Sequence, residues 1–142
     1  MPHLCDVNVL LALCHAEHRH HEVARSWMDA ITEPRSVGLC RVTQLALLRL
    51  LNNPVVLGGD AWRGRDVWRI TDLLLEDDRF TFHTEPPEVG DALRRFTEPM
   101  GISLKAWSDA YLAAFAQTAH LTLVSFDRGF RQYAGLETMI LG

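Results

Sequence analysis

Two aspartates stand where apolar strands are predicted to end, and carboxylates in that position can bind metal. Asp6 lies inside the apolar segment LCDVNVLLAL, and Asp127 follows the apolar segment LTLVS directly, in SFDRGF. A carboxylate beside a buried strand is unfavourable unless it is paired with a cation or bound to a metal. Ligands of open parallel sheets bind outside the carboxyl ends of the strands. The two aspartates are therefore candidates for one site.

Both aspartates also have purely structural explanations. Asp6 is a favoured residue type for capping a helix that starts near Asn8. Asp127 can close a turn with Gly129, two residues further on. Neither explanation excludes metal binding, because a capping or turn-forming carboxylate keeps further lone pairs.

A third acid, Asp109, lies on a predicted helix over residues 104–120. It faces away from the predicted apolar stripe and over small residues, which would let other backbone elements approach and bury the carboxylate. The alternative is an exposed i,i+4 ion pair with Lys105, worth about 0.3–0.5 kcal/mol. The predicted stripe consists of Leu104, Trp107, Tyr111 and Phe115, and the small residues are Ala106, Ala113 and Ala116.

Gln44 is a polar residue on an otherwise apolar helix face. In CRVTQLALLRLL, residues 40–51, leucines follow it at i+3, i+4 and i+7. A buried amide without a partner costs about 1–3 kcal/mol, so the side chain must bind something. Three carboxylates and an amide oxygen form a hard oxygen site, which suits Mg²⁺ or Mn²⁺ and not zinc. We therefore expect Gln44 to reach toward the ion or a water bound to it.

Short apolar strands alternate with helices along the chain. This pattern predicts an α/β sandwich with a mainly parallel sheet. The predicted strands are 3–7, 36–40, 79–83 and 121–127, with an edge strand at 136–141 as an addition. The predicted helices are 8–18, 20–33, 41 to about 52, 61–78, 87–101 (with its exit) and 104–120.

Bulk composition limits the classes of function. A chain of 142 residues with 48% hydrophobic and 23% charged residues fits one globular domain. The net charge of −4 provides no global attraction to nucleic acid, so RNA binding would need a local basic patch. The three cysteines lie in apolar segments and indicate a reducing compartment. Neither a signal peptide nor a membrane span is predicted, and we expect a cytoplasmic protein.

Three segments resemble the PIN-domain ribonucleases, specifically the VapC-type toxins of bacterial toxin–antitoxin pairs. They are LCDVNVLLAL, VTQLALLRLLNNP and WSDAYLAAFAQTAHLTLVSFDRGF, in this order. The most specific part is DAYLAAFA followed by a strand and FDRGF. The resemblance implies a single PIN domain over residues 1–142, with a short parallel sheet of four to five strands. It also implies that clustered acids bind Mg²⁺, or Mn²⁺ as a substitute, and cut RNA to leave a 5′-phosphate and a 3′-hydroxyl.

Carried over by motif, the catalytic and metal-binding acids of the family fall on Asp6, Asp109 and Asp127. The glutamate that the family usually has on the helix after the second strand falls on Gln44, which we expect to act in the catalytic site by orienting a water. Loss of the glutamate's charge leaves an alternative open. The chain could be a catalytically weakened PIN-like module that binds RNA or a protein partner.

Other polar residues near the motifs are expected to support the acids or to contact RNA. For each arginine, a solvated surface position is the commoner explanation, and the arginine after Asp127 could instead neutralise that acid. The candidates for supporting hydrogen bonds are Asn8 and Thr43, and those for contact with RNA are Arg41, Arg49 and Arg128.

The resemblance also implies partners. A VapC-type toxin is expected to be a homodimer and to be held inactive by a small VapB-type antitoxin that covers the groove over the acids. The tryptophans at positions 27, 62, 68 and 107 are accordingly interpreted as core or dimer contacts.

The histidine-rich segment HAEHRHHE, residues 15–22, has a competing explanation in zinc binding. His15 and His18 have i,i+3 spacing, but no cysteine or carboxylate pattern of a structural zinc site follows. The segment bridges two predicted helices, where polar residues are ordinary. We therefore interpret it as a solvated connection.

Overall fold

The computed structural model describes residues 2–59 and 62–142. Five strands form one sheet: β1 (His3–Cys5), β2 (Val37–Cys40), β3 (Phe80–His83), β4 (Thr122–Ser125) and β5 (Thr138–Ile140). Their order across the sheet is β3-β2-β1-β4-β5, and every neighbouring pair is parallel. The predicted parallel α/β fold is confirmed, including the edge strand.

The order of the strands reverses between β1 and β4. The chain leaves β1 toward β2 and β3 on one side, then returns to build β4 and β5 on the other. In parallel sheets, such a switch point opens a crevice outside the carboxyl ends of the two strands. The register pairs Cys5 with Val124, so the residues that follow these two lie side by side at the crevice.

Helices cover both faces of the sheet. In the described part of the chain, no helix is long and apolar enough to cross a membrane. The helices are α1 (Val7–Cys14), α2 (His21–Asp29), α3 (Arg41–Leu51), α4 (Pro54–Leu57), α5 (Gly64–Glu76), α6 (Val89–Thr97) and α7 (Ala106–Thr118), with a 3-10 helix at Arg128–Gln132.

Several predicted helix boundaries differ from the structure, and two short helices were not predicted. The first helix ends at Cys14 and not near residue 18, because His15 adopts an extended backbone conformation. The short α4 and the 3-10 helix were not predicted. The predicted start of the helix over 61–78 lies partly outside the described residues, and α5 begins at Gly64.

The apolar core has two parts, one on each face of the sheet. On one face, Cys5 and Leu39 pack with buried residues of α1, α3 and α5. On the other, Leu4 and Leu123 pack with buried residues of α7. Side chains alternate between the faces along each strand, so both parts depend on the same strand register.

The predicted apolar stripe of α7 is partly wrong. Leu104 is 99% exposed and precedes the helix, and Trp107 is 54% exposed. The buried surface is centred on the alanine-rich side, including Ala113 and Ala116. Small residues allow this helix to pack closely on the sheet, so the bulky residues at its start are left outside. Of the tryptophans, Trp68 is also half exposed.

Gly38 lies on β2, between β1 and β3, where no side chain has room. A Cβ atom built on it would lie 2.5 Å from Cδ2 of His83 and 2.8 Å from the backbone oxygen of His3. The imidazole of His83 thus occupies the space over β2 that a larger residue would need. A backbone oxygen of β1 cannot move without disturbing the pairing of two strands.

We expect Gly38→Ala to lower the free energy of unfolding by about 1–3 kcal/mol, the usual effect of overpacking. Urea denaturation followed by circular dichroism measures the change. Gly90→Ala is a matched control, because no heavy atom lies within 4 Å of its added Cβ and alanine favours the helix that contains it. Equal stability of the two variants would contradict the close packing at Gly38.

Candidate active site

Asp6 joins β1 to α1 at the switch point of the sheet. Its Oδ1 accepts a hydrogen bond from the backbone N–H of Val7 at 2.7 Å, so it caps α1 as predicted. Its Oδ2 accepts one from the Ser125 hydroxyl, also at 2.7 Å. Burial raises the pKa of this carboxyl, and the nearby charges of Asp109 and Asp127 add to the rise, while the two hydrogen bonds oppose it.

Ser125 connects the acids of β1 and β4, and the sequence analysis did not identify it. It is fully buried at the end of β4. Its hydroxyl donates to Asp6 and accepts from the backbone N–H of Asp127 at 2.9 Å. The available sequence signal was a serine inside a strand of otherwise apolar residues, since such a hydroxyl needs partners when it is buried.

Asp127 begins the turn after β4. Its Oδ1 accepts a hydrogen bond from the backbone N–H of Gly129 at 2.8 Å, so the predicted turn is confirmed. Its Oδ2 lies 3.7 Å from Nζ of Lys105. Within the described residues, the ion pair to this acid therefore comes from Lys105 and not from the adjacent Arg128, which is exposed.

Asp109 enters from the first turn of α7 and is half-buried. Burial raises the pKa of its carboxyl, the charge of Lys105 opposes the rise, and the charge of Asp127 adds to it. The alternative explanation of Asp109, an exposed ion pair with Lys105 alone, is thus too simple. Lys105 lies just before α7 and acts electrostatically on two acids at once.

The three aspartates come together from distant parts of the chain. Asp6 is repelled by both of the others, and Asp109 is repelled by Asp127. Across residues 2–59 and 62–142, no three His, Cys, Asp or Glu side chains are arranged to hold an ion as they stand. The donor set still fits Mg²⁺ or Mn²⁺, which favour carboxylate oxygens and retain several waters, so direct contact with all three acids is not required.

The side chain of Gln44 is hydrogen-bonded to the side chain of Arg41. The guanidinium of Arg41 donates a hydrogen bond to the amide oxygen of buried Gln44 and lies over the ring of Phe82, 4.8 Å from its centre. Thr43, the neighbour of Gln44, exchanges hydrogen bonds with the backbone of Cys40 and so caps α3. Arg41 is therefore engaged within the protein, and a role for Gln44 toward a metal remains a prediction.

Grooves adjoin the acids on several sides. A groove of about 260 Å³ contains Asp6, Asp109 and Thr43 and is also lined by Arg49. A second, more open groove of about 870 Å³ contains Asn8, Arg49 and Lys105. Of the arginines predicted to contact RNA, Arg49 is thus the one that these grooves place beside the acids.

The sequence of this chain is similar to those of known proteins over nearly its whole length. The sequence profile of the PIN domain matches residues 4–136. The chain is 41% identical to Ribonuclease VapC41 of Mycobacterium tuberculosis over 97% of both chains. This chain belongs to the PIN-domain family, in its VapC group.

Solved VapC-group structures share the fold at low sequence identity. The chain superposes on a structure of VapBC2 from Rickettsia felis, bound to a promoter DNA fragment, with a TM-score of 0.75, 13% identity and full coverage of both chains. For the VapC20 toxin of Mycobacterium tuberculosis, which cleaves the sarcin–ricin loop, the TM-score is 0.65 at 14% identity, over 94% of this chain and 98% of that one. The acids of this VapC-group chain thus lie in a known architecture.

We expect Ser125→Ala to lower the free energy of unfolding by about 2 kcal/mol, since it leaves a buried carboxylate oxygen and a backbone N–H without partners. The hydroxyl of Ser125 lowers the pKa of Asp6, so its loss should raise that pKa further. The pH at which Mn²⁺ binding is half-maximal should then shift upward. Calorimetric titration of Mn²⁺ at several pH values measures this shift.

Ser26→Ala serves as the control for this change, because Ser26 is exposed on α2. It should alter the stability by less than about 0.5 kcal/mol and leave the pH midpoint in place. A Ser125→Ala variant with the stability and pH midpoint of the wild type would contradict the bridging role of the hydroxyl.

Proposed function

We propose that this protein is the toxin of a toxin–antitoxin pair and a divalent-metal-dependent endoribonuclease. The observation that supports the proposal most strongly is the convergence of Asp6, Asp109 and Asp127 at the carboxyl edge of the sheet. The Ser125 hydroxyl joins Asp6 to the backbone of Asp127, and Asp6 and Asp109 line one groove. Such a cluster is unfavourable without a compensating cation. The activity in the name of the VapC41 relative supports RNA as the substrate, and an RNA substrate would place the protein in the cytoplasm.

In this proposal, Asp6 and Asp127 are the main metal-holding residues and Asp109 completes the site, directly or through water. A divalent ion there would neutralise phosphate charge and lower the pKa of a water for attack on phosphorus. Ser125 keeps the carboxylate of Asp6 oriented and favours its ionised form. In the absence of metal, Lys105 supplies part of the compensating charge.

We also propose partners. The fold neighbour from Rickettsia felis was solved as a VapBC assembly on promoter DNA, which supports a VapB-type antitoxin as the partner of this chain. An antitoxin that covers the grooves beside the acids would block access of RNA. Formation of a homodimer stays a prediction from the family resemblance.

We expect Asp6→Asn to reduce cleavage of a labelled single-stranded RNA by at least about 100-fold, because a bound ion contributes several kcal/mol and about 1.4 kcal/mol is a factor of ten in rate. The wild type should cleave with Mg²⁺ or Mn²⁺ and stop with EDTA. Asp72→Asn is the control, since Asp72 is exposed on α5, and it should cleave normally.

A second measurement does not depend on activity. Burial and the repulsion between ionised acids destabilise the fold as the pH rises through the raised pKa values of Asp6 and Asp109, and a bound divalent ion should offset this effect. Mn²⁺ should therefore raise the melting temperature of the wild type at neutral pH and have little effect on Asp6→Asn. No Mn²⁺ binding together with tight binding of a protein partner would instead identify a catalytically weakened module.

We expect Gln44→Glu to tighten Mn²⁺ binding about tenfold in calorimetric titration. Gln44 lies in the first turn of α3, which begins at the carboxyl end of β2 next to β1, so a carboxylate there would add charge near the acids. Arg41 can stabilise the buried carboxylate. Gln132→Glu, an exposed change, is the control, and equal affinity in the two variants would place Gln44 outside the site.

A further inference from the structure

The connection between α1 and α2 forms the wall of a groove that reaches the acids. His18, Arg19 and His20 line this groove of about 380 Å³, together with Asn8, Phe126 and Asp127. The histidine-rich segment is a connection between helices, as predicted. Its placement beside Asp127 follows from the tertiary structure, because Asp127 lies more than a hundred residues away in the sequence.

Arg19 is held in place by a hydrogen bond to the side chain of His20. Its Nε–H donates a hydrogen bond to Nε2 of His20 at 3.0 Å. The ring of His20 stacks on Phe126, with centres 4.3 Å apart and planes inclined by 17°. The backbone N–H of His20 also donates to Nδ1 of His18 at 3.1 Å. The guanidinium is thus anchored through His20 to the residue that precedes Asp127.

The charge of Arg19 is not compensated by a carboxylate within the described ranges. Arg25, Arg69 and Arg79 each lie within 4.0 Å of an aspartate oxygen, whereas Arg19 has no such ion pair among the residues that the structure describes. Because the hydrogen bond to His20 uses only the Nε–H of Arg19, the terminal N–H groups of the guanidinium can still bind an anion. Arginine in this state is well suited to phosphate.

The groove of Arg19 shares a wall with a second groove beside the acids. Asn8 lines both, and the second groove contains Arg49 and Lys105. A single extended strand of nucleic acid that passed Asn8 could therefore contact basic residues in both grooves. Base-independent contact of this kind uses the phosphates of the strand.

We propose that Arg19 binds a phosphate of single-stranded RNA adjacent to the phosphate that is cleaved, and that His20 is a positioning residue for Arg19. The proposal rests on the proposed function. It adds a subsite on the Asp127 side of the acids, built from Arg19, His20 and Phe126.

The test uses the Asp6→Asn background in EDTA, so that RNA is bound and not cut. Binding of a fluorescent single-stranded RNA is measured at several salt concentrations. Adding Arg19→Ala should weaken binding about tenfold and reduce the slope of log K against log salt by about 0.7, the value for one lost phosphate contact on a single strand. Arg25→Ala, which removes the same charge from an exposed pair with Asp29 on α2, should change neither quantity appreciably.

His20→Phe separates positioning from packing. Phenylalanine can keep the stack on Phe126 but removes the acceptor for Arg19, so RNA binding should weaken severalfold at an unchanged melting temperature. The effect should largely disappear in the Arg19→Ala background, because His20 acts through Arg19. Full additivity of the two substitutions would overturn the positioning role of His20.

The outcomes separate this proposal from the proposed function. Equal effects of Arg19→Ala and Arg25→Ala, or no RNA binding by the Asp6→Asn protein, would overturn the subsite even if the wild type cleaves RNA. A wild type that cleaves no RNA with either metal, but whose RNA binding depends on Arg19 and not on Arg25, would overturn the nuclease and retain the subsite.

Discussion

Asp6, Asp109 and Asp127 share the carboxyl edge of one parallel sheet, where like charges repel. In addition to burial, the charges of Asp109 and Asp127 raise the pKa of Asp6, and the charge of Asp127 raises the pKa of Asp109. Much of the surrounding structure limits that repulsion. Hydrogen bonds from Ser125 and a backbone N–H favour the charged form of Asp6, and Lys105 brings a positive charge between the other two acids. These contacts reduce the repulsion without removing it, which is the condition for binding a divalent cation.

In the proposed metal site, structural and functional roles coincide in the same side chains. Asp6 caps α1 and Asp127 closes the turn after β4, and each of these contacts fixes the direction of a carboxylate. An acid that is oriented by backbone N–H groups loses little conformational entropy when it binds an ion. The structural explanations of these aspartates therefore support their chemical explanation and do not compete with it.

The net charge of the molecule does not describe the distribution of charge on the surface around the acids. The net charge is −4, yet Arg19, Arg49 and Lys105 line grooves beside the acidic edge. Local potential, and not net charge, determines the path of a nucleic acid near the surface. An acidic protein can thus present a basic path to RNA.

The amino-acid sequence was sufficient to predict the parallel α/β fold, the order of the strands and longer helices, and the three aspartates as candidate site residues. The fold follows from hydrophobic periodicity, and Asp6 and Asp127 were recognised because they stand at strand ends. It did not determine the end of α1 at Cys14 or the burial of α7 through its alanines, since both depend on how closely a helix approaches the sheet. Three contacts became visible only in the folded protein: Ser125 bridges Asp6 and Asp127, Lys105 pairs with Asp127, and Arg19 lies beside the acids. Each of them joins segments that are separated in the chain. They meet where β1 and β4 end, because these two strands pair side by side.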